Sequence, residues 1–260
     1  MNTKIATLLS SLLTLSAFGA GVNEKWIEYQ DGAQAFEGFL AMPSSASKAK
    51  PVPGVLVIHN WMGVSEETKS KARELAKLGY AAFAADIFGK DERPKTREEA
   101  GPIAGRYKSD RALYRKRLTQ GLKQLEAVSG VDPSKLAAIG YCFGGLGALE
   151  LARTGAPIKG AVSFHGGIDS ASPDLGKNIQ AKVLLLHGAD DPFVTAKDLT
   201  AVEEEMRANK IDWQLVKYGN AVHSFTERAA GNDNSKGAAY NAEADRRSWA
   251  EMQRFFKEIF

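Results

Sequence analysis

Hydrophobic positions along this chain come in two patterns that alternate. Short unbroken apolar runs end abruptly, and between them apolar residues recur every three or four positions. The runs Gly54 to Ile58, Tyr80 to Ala85 and Leu136 to Ile139 predict strands, and Ile158 to Phe164, Ala181 to His187 and Asp212 to Tyr218 read as further strands. A strand without polar alternation is buried on both faces, as in a parallel sheet. The 3.6-residue pattern predicts helices over Ser65 to Leu78, with Ser65 as N-cap and Gly79 closing it, over Ser109 to Val128, over Ala196 to Ala208 and over Ala238 to Ile259. Two earlier segments, Lys25 to Gln30 and Ala35 to Met42, read as an edge hairpin turning at Asp31-Gly32. Asp91 to Gly105 is charged and broken by glycine and proline, so it reads as a loop with a short helix. Strands alternating with helices make the expected fold class α/β, a mostly parallel sheet with helices on both faces.

One junction carries reactive chemistry. The run ending at Ile139 meets Gly140-Tyr141-Cys142-Phe143-Gly144-Gly145 and then a helix-forming segment from Leu146 to Arg153. A strand-turn-helix corner of the form Gly-x-nucleophile-x-Gly needs small residues two before and two after the reactive side chain, because that residue is strained and its neighbours pack close. Gly140 and Gly144 stand there, and Cys142 is the only cysteine of the chain. A thiol at a helix start faces the positive end of the helix, which favours the thiolate. The alternative is a small buried apolar residue with glycines that merely permit a tight crossing.

A length of 260 residues with 44% hydrophobic and 25% charged positions suits one large α/β domain. The net charge of +3 points to no polyanionic partner, and the basic residues between Arg106 and Arg117 suit a solvated helix face better than a nucleic-acid surface. Residues 1–20 resemble an address: Lys4, an uncharged apolar run from Ile5 to Phe18, then Gly19, Ala20 and Gly21. The run is short for a membrane span. We therefore expect a signal peptide cleaved near Gly19 to Gly21, an exported and periplasmic protein without stable membrane insertion, and a folded domain over residues 24–260. An uncleaved amphiphilic anchor is the alternative. In an exported chain a single cysteine has no internal partner and is a free thiol.

A thiolate nucleophile needs a base, and the base needs an orienting group. Chain order in α/β-hydrolases puts the acid after the nucleophile and the histidine last. Asp191 lies in a loop after the strand ending at His187, with Asp190 as its rival and a plain turn-capping role open to either. Of the four histidines, His59, His165, His187 and His223, only His223 follows Asp191. His165 and His187 end apolar strands and read as strand-end residues. The histidines lack close paired spacing, which disfavours a metal site. An oxyanion hole would take the backbone N–H of Phe143 and one from the loop His59-Asn60-Trp61-Met62-Gly63, for which Trp61 is chosen.

These segments together resemble the dienelactone hydrolase (carboxymethylenebutenolidase) family of the α/β-hydrolase fold. The likeness runs from about Trp26 to the C-terminus, through Val57 to Gly63, Gly79-Tyr80 to Gly89, the cysteine corner, Asp191-Pro192-Phe193-Val194 and His223-Ser224-Phe225. The resemblance implies a Cys142, Asp191, His223 triad that hydrolyses a small-molecule lactone or ester without metal or organic cofactor. It leaves the oligomeric state unknown. It implies substrate contacts for Asn60, Lys90, Tyr141 and Arg228. Two positions depart from the family. Asn60 replaces a glutamate thought to help activate the thiol, and the two arginines that hold a substrate carboxylate correspond to Lys90 and Glu227, with Arg228 one place along. Lysine lacks the bidentate fork, and glutamate repels an anion. An exported thioesterase or other acyl hydrolase on the same triad is a second reading, and a non-catalytic binding module on the same fold a third.

Overall fold

The computed structural model describes residues 21–170 and 173–260. The proposed signal peptide lies outside the described residues. Eight strands form one sheet: β1 (Val22–Asp31), β2 (Gln34–Pro43), β3 (Val52–Ile58), β4 (Ala81–Ala85), β5 (Val131–Tyr141), β6 (Gly160–Phe164), β7 (Lys182–Gly188) and β8 (Trp213–Tyr218). Their spatial order is β1-β2-β4-β3-β5-β6-β7-β8. The hairpin β1-β2 and the β2-β4 pair are antiparallel, and every pair from β4 to β8 is parallel.

The unbroken runs behave as their composition demands: β4 and β6 are buried at every residue. On one face lie α3 (Arg111–Glu126), α4 (Phe143–Arg153) and α5 (Ala196–Ala208), packing residues such as Leu118, Leu122, Leu151 and Met206. On the other lie α1 (Glu66–Lys77) and α6 (Ala242–Ile259), contributing Leu75, Met252, Phe255 and Phe256. Helices on both faces explain why these strands show no polar alternation.

Several boundaries differ from the sequence reading. A 13-residue helix, α2 (Arg97–Ser109), occupies ground read mainly as loop. Thr96 caps it by accepting the Glu99 N–H at 3.3 Å, and burial of Ala100, Ala104 and Tyr107 outweighs the local cost of Gly101 and Pro102. The helix predicted from Leu146 already starts at Phe143, directly on the corner. The last helix starts at Ala242 rather than Ala238, because Asn241 accepts the Ala244 N–H. The cysteine strand β5 reaches back to Val131, with a register shift at Pro53/Gly54 on its partner β3.

The topology also dictates where a site can form. From β3 the chain crosses to β4 on one side, then returns past β3 to β5 on the other. Connections therefore leave β3 and β5 in opposite directions, opening a crevice at the carboxyl ends of those strands. Residues 59–63 and the Cys142 corner lie at that crevice.

Candidate active site

Cys142 sits between β5 and α4 with φ 55° and ψ −113°, a conformation that costs a non-glycine residue about 1–3 kcal/mol. The surrounding packing holds it there. Its N–H donates to the Phe164 carbonyl at 3.0 Å, and its own carbonyl accepts the Gly145 N–H at 3.0 Å. The two glycines are required by contact: a Cβ on Gly140 would lie 1.8 Å from the Gly144 carbonyl oxygen, and one on Gly144 would lie 2.1 Å from that of Ile58. The same closeness sets the start of α4 against the end of β3.

Three side chains converge at this corner. His223 Nδ1–H donates to Asp191 Oδ2 at 2.8 Å, and His223 Nε2 lies 3.0 Å from Cys142 Sγ. Asp191 is buried, and its other oxygen accepts the Phe193 N–H at 2.9 Å. The exposed rival Asp190 is tied to the 221 loop by its backbone N–H. The loop carrying His223 is clasped by a later segment: the His223 N–H donates to the Gly237 carbonyl and the Ala239 N–H to that of His223. Burial by itself lowers the His223 pKa, but the hydrogen bonds to Asp191 and to the sulfur outweigh it and push the imidazole up to about 10. His223 is therefore an imidazolium at neutral pH, 3.0 Å from the Cys142 sulfur.

The other histidines do different work. His59 is fully buried, donates Nδ1–H to the Asn60 carbonyl at 2.6 Å and accepts the Ile87 N–H on Nε2, and burial lowers its pKa. His165 bonds Thr226 Oγ1 at 2.8 Å with its ring 5.4 Å from that of His223, and burial holds it well below the ordinary range. Both stay neutral around His223. Neither the Phe143 nor the Trp61 N–H has a hydrogen-bond acceptor among the described residues.

The four residues named for substrate contact fare differently. Asn60 is buried beside the site, donating Nδ2–H to Glu227 Oε1 at 3.2 Å and accepting the Met62 N–H on Oδ1 at 2.9 Å. Tyr141 turns inward, stacked on Phe164 at 4.6 Å with its hydroxyl buried and unpaired among the described residues. Lys90 lies at the hairpin edge, its ammonium held by Glu28 at 2.5 Å and Glu37 at 3.5 Å. Arg228 likewise lies outside the convergence, its guanidinium over the Tyr240 ring at 4.7 Å. Glu227, read from the sequence as a charge that repels an anion, is buried, and burial raises its pKa against the pull of Asn60. Glu67 on α1, which the sequence reading passed over, lines the same small cavity as Asn60, Tyr141 and Glu227.

Known proteins repeat this arrangement of elements. A solved structure described as a dienelactone hydrolase-like promiscuous phosphotriesterase from metagenomic libraries is 43% identical, covers 93% of this chain and all of its own, and superposes with a TM-score of 0.86. An uncharacterised Caenorhabditis elegans protein is 36% identical over 149 residues, spanning 55% of this chain and 92% of its own. A Methylorubrum extorquens protein provisionally named carboxymethylenebutenolidase is 25% identical over 256 residues, 95% of this chain and 84% of its own. The model of the dienelactone hydrolase family matches residues 36–260, from β2 through the cysteine corner to the last helix. With the sheet, the corner and nearly the whole folded length in agreement, the chain belongs to the dienelactone hydrolase family and is a hydrolase of the α/β-hydrolase fold.

Proposed function

We propose that the chain is a cysteine-dependent hydrolase of ester and lactone carbonyls, with Cys142 as nucleophile, His223 as acid and base and Asp191 as the group that orients His223. The observation that carries this reading is the unbroken series Asp191 Oδ2, His223, Cys142 Sγ at 2.8 and 3.0 Å, on a strained corner. The sulfur, negatively charged beside the imidazolium, adds to the carbonyl carbon. The tetrahedral oxyanion takes the Phe143 and Trp61 N–H groups, both without another acceptor among the described residues. His223 gives its proton to the departing alkoxide, leaving an acyl-thioester and a neutral imidazole. Water then attacks the thioester while His223 removes its proton, and collapse releases the acid and restores the thiolate-imidazolium pair. For a lactone, the departing alkoxide remains part of the acyl chain, and hydrolysis of the thioester releases a single hydroxy acid.

The test is p-nitrophenyl acetate hydrolysis by wild type, Cys142→Ala and iodoacetamide-treated protein. Activity should fall to background in the latter two, and turnover that survives both treatments points to another centre. A panel of lactones, thioesters and a phosphotriester, the last suggested by the 43%-identical relative, sorts the leaving groups. Export to the periplasm after cleavage near Gly19 to Gly21 is part of the same proposal, motivated by the Ile5 to Phe18 run.

A further inference from the structure

We propose that Glu67 and Glu227 act together as a charge filter that turns anionic acyl substrates away from Cys142, so that the site serves uncharged esters. This deepens the hydrolase reading and rests on it for its meaning toward esters. The two glutamates come from different elements, α1 and the loop after His223, yet line one cavity with Asn60, Thr68, Lys71, Tyr141 and Thr226. That cavity measures about 10 Å³, room for about one water molecule. It cannot hold hydration shells for two carboxylates, so ionising one penalises the other. The buried Tyr141 hydroxyl, unpaired among the described residues, borders the same space.

The cavity lies immediately behind the reactive corner. Tyr141 precedes the nucleophile, and Glu227 bonds Asn60, whose neighbour Trp61 offers one of the two free amides. The surrounding charges compensate the pair only in part. Lys71 is engaged on its outer side by Glu74 at 3.8 Å and Asp245 at 3.9 Å. Lys71 lowers the Glu67 pKa, whereas burial, Glu227 and Asp245 raise it to about 7. At Glu227 burial raises, and Asn60, His223, Ser224 and Arg97 oppose. Glu67 therefore gains negative charge beside Glu227 as pH rises through neutrality, while His223 titrates near 10 and burial keeps His165 and His187 neutral. A unit charge near an incoming anion in a partly screened site changes its rate about 5- to 10-fold.

Because Cys142 is the only cysteine, its alkylation by neutral iodoacetamide and by anionic iodoacetate, followed by intact mass, reads the filter without any turnover. Thiolate ionisation cancels in the ratio of the two rates. The iodoacetamide-to-iodoacetate ratio should rise about 5- to 10-fold between pH 6 and pH 8 in wild type. Glu67→Gln should remove most of that step, and Glu227→Gln should move it to lower pH by freeing Glu67 of its neighbour. Should Glu227→Gln fail to fold, the loss of the step with Glu67→Gln on the partly exposed face of α1 decides. A ratio that is flat in wild type, or an unchanged step with both glutamates replaced, overturns the proposal. The same comparison with a neutral p-nitrophenyl ester and its carboxylate-bearing counterpart extends the test to substrates. A protein that shows the alkylation step but hydrolyses neither ester refutes the hydrolase reading and not the filter.

Discussion

Replacing Asp191 by asparagine removes one charge and almost no shape, and so isolates what that carboxylate does to His223. The Asp191 side chain is fully enclosed and 2.8 Å from Nδ1. The climb of His223 from 6.5 to about 10 amounts to about 5 kcal/mol of preference for the imidazolium. Burial works against that climb, so Asp191 and the sulfur between them supply all of it. In Asp191→Asn the amide keeps an oxygen for the Phe193 N–H and turns its NH₂ toward Nδ1. A neutral imidazole must then carry its proton on Nε2, pointing at the sulfur, the wrong tautomer for a base. Losing the charge and reversing the tautomer together should lower kcat/KM toward p-nitrophenyl acetate at pH 7 by about 10²- to 10⁴-fold.

The same substitution has a thermodynamic signature with a fixed sign. A histidine whose pKa is raised on folding contributes stability that is whole below 6.5 and lost as pH rises through about 10. Urea titrations of wild type should therefore show unfolding free energy declining between about pH 7 and pH 11, by up to about 5 kcal/mol from this group. The Asp191→Asn curve should be flatter over that window. Imidazole NMR reads the site directly, with His223 titrating near 10 in wild type and well below in the variant. An asparagine variant that keeps activity within about threefold, with His223 still titrating as in wild type, would refute the orienting role.

Other consequences are checked more briefly. Gly144→Ala places a Cβ 2.1 Å from the Ile58 carbonyl oxygen and 2.6 Å from that of His59; backbone cannot yield locally, so both Tm and esterase activity should drop, and an unchanged Tm would mean the corner is looser than described. Arg153→Met strands Glu205, which Arg153 Nε and Nη2 hold at 2.9 and 2.6 Å in the interior. The expected loss in urea unfolding is about 3–5 kcal/mol, and a loss below about 1 kcal/mol would assign the ion cluster no stabilising part. N-terminal sequencing of protein recovered from the periplasm should begin near Gly19 to Gly21 of the full chain, and recovery beginning at Met1 rejects the leader.

The sheet was legible because strands buried on both faces have nothing polar to alternate with, so Gly54 to Ile58 or Tyr80 to Ala85 read plainly. Helix α2 was hidden because local propensity at Gly101 and Pro102 argues against what tertiary burial of Tyr107 enforces. The start of α4 at Phe143 escaped for a related reason: Phe143-Gly144-Gly145 is a poor helix start by composition, and the corner imposes it. At the site, Cys142, Asp191 and His223 were singled out because the corner and the chain order constrain them. Lys90 and Arg228 were carried over by position alone. Nothing in the sequence shows that Glu28 and Glu37 claim one cation and Tyr240 the other. Glu67 left no trace, since an acidic residue in a first helical turn already has a reason to be there in the helix dipole.

Asn60 and Glu227 explain each other. Read singly, each departs from the family, one losing a carboxylate and the other replacing a cation with an anion. Side by side they form one hydrogen bond at 3.2 Å in a buried setting. An amide at position 60 can donate to Glu227 through Nδ2 while Oδ1 accepts the Met62 N–H and shapes the loop that presents Trp61. A carboxylate at 60 could accept from Met62 but not donate, and would set a third acidic group against Glu227 and Glu67 around a cavity of about 10 Å³. The buried carboxyl is thus supplied by the loop after His223, and the loop after β3 supplies its amide partner. The charge of that carboxyl bears on which substrates approach.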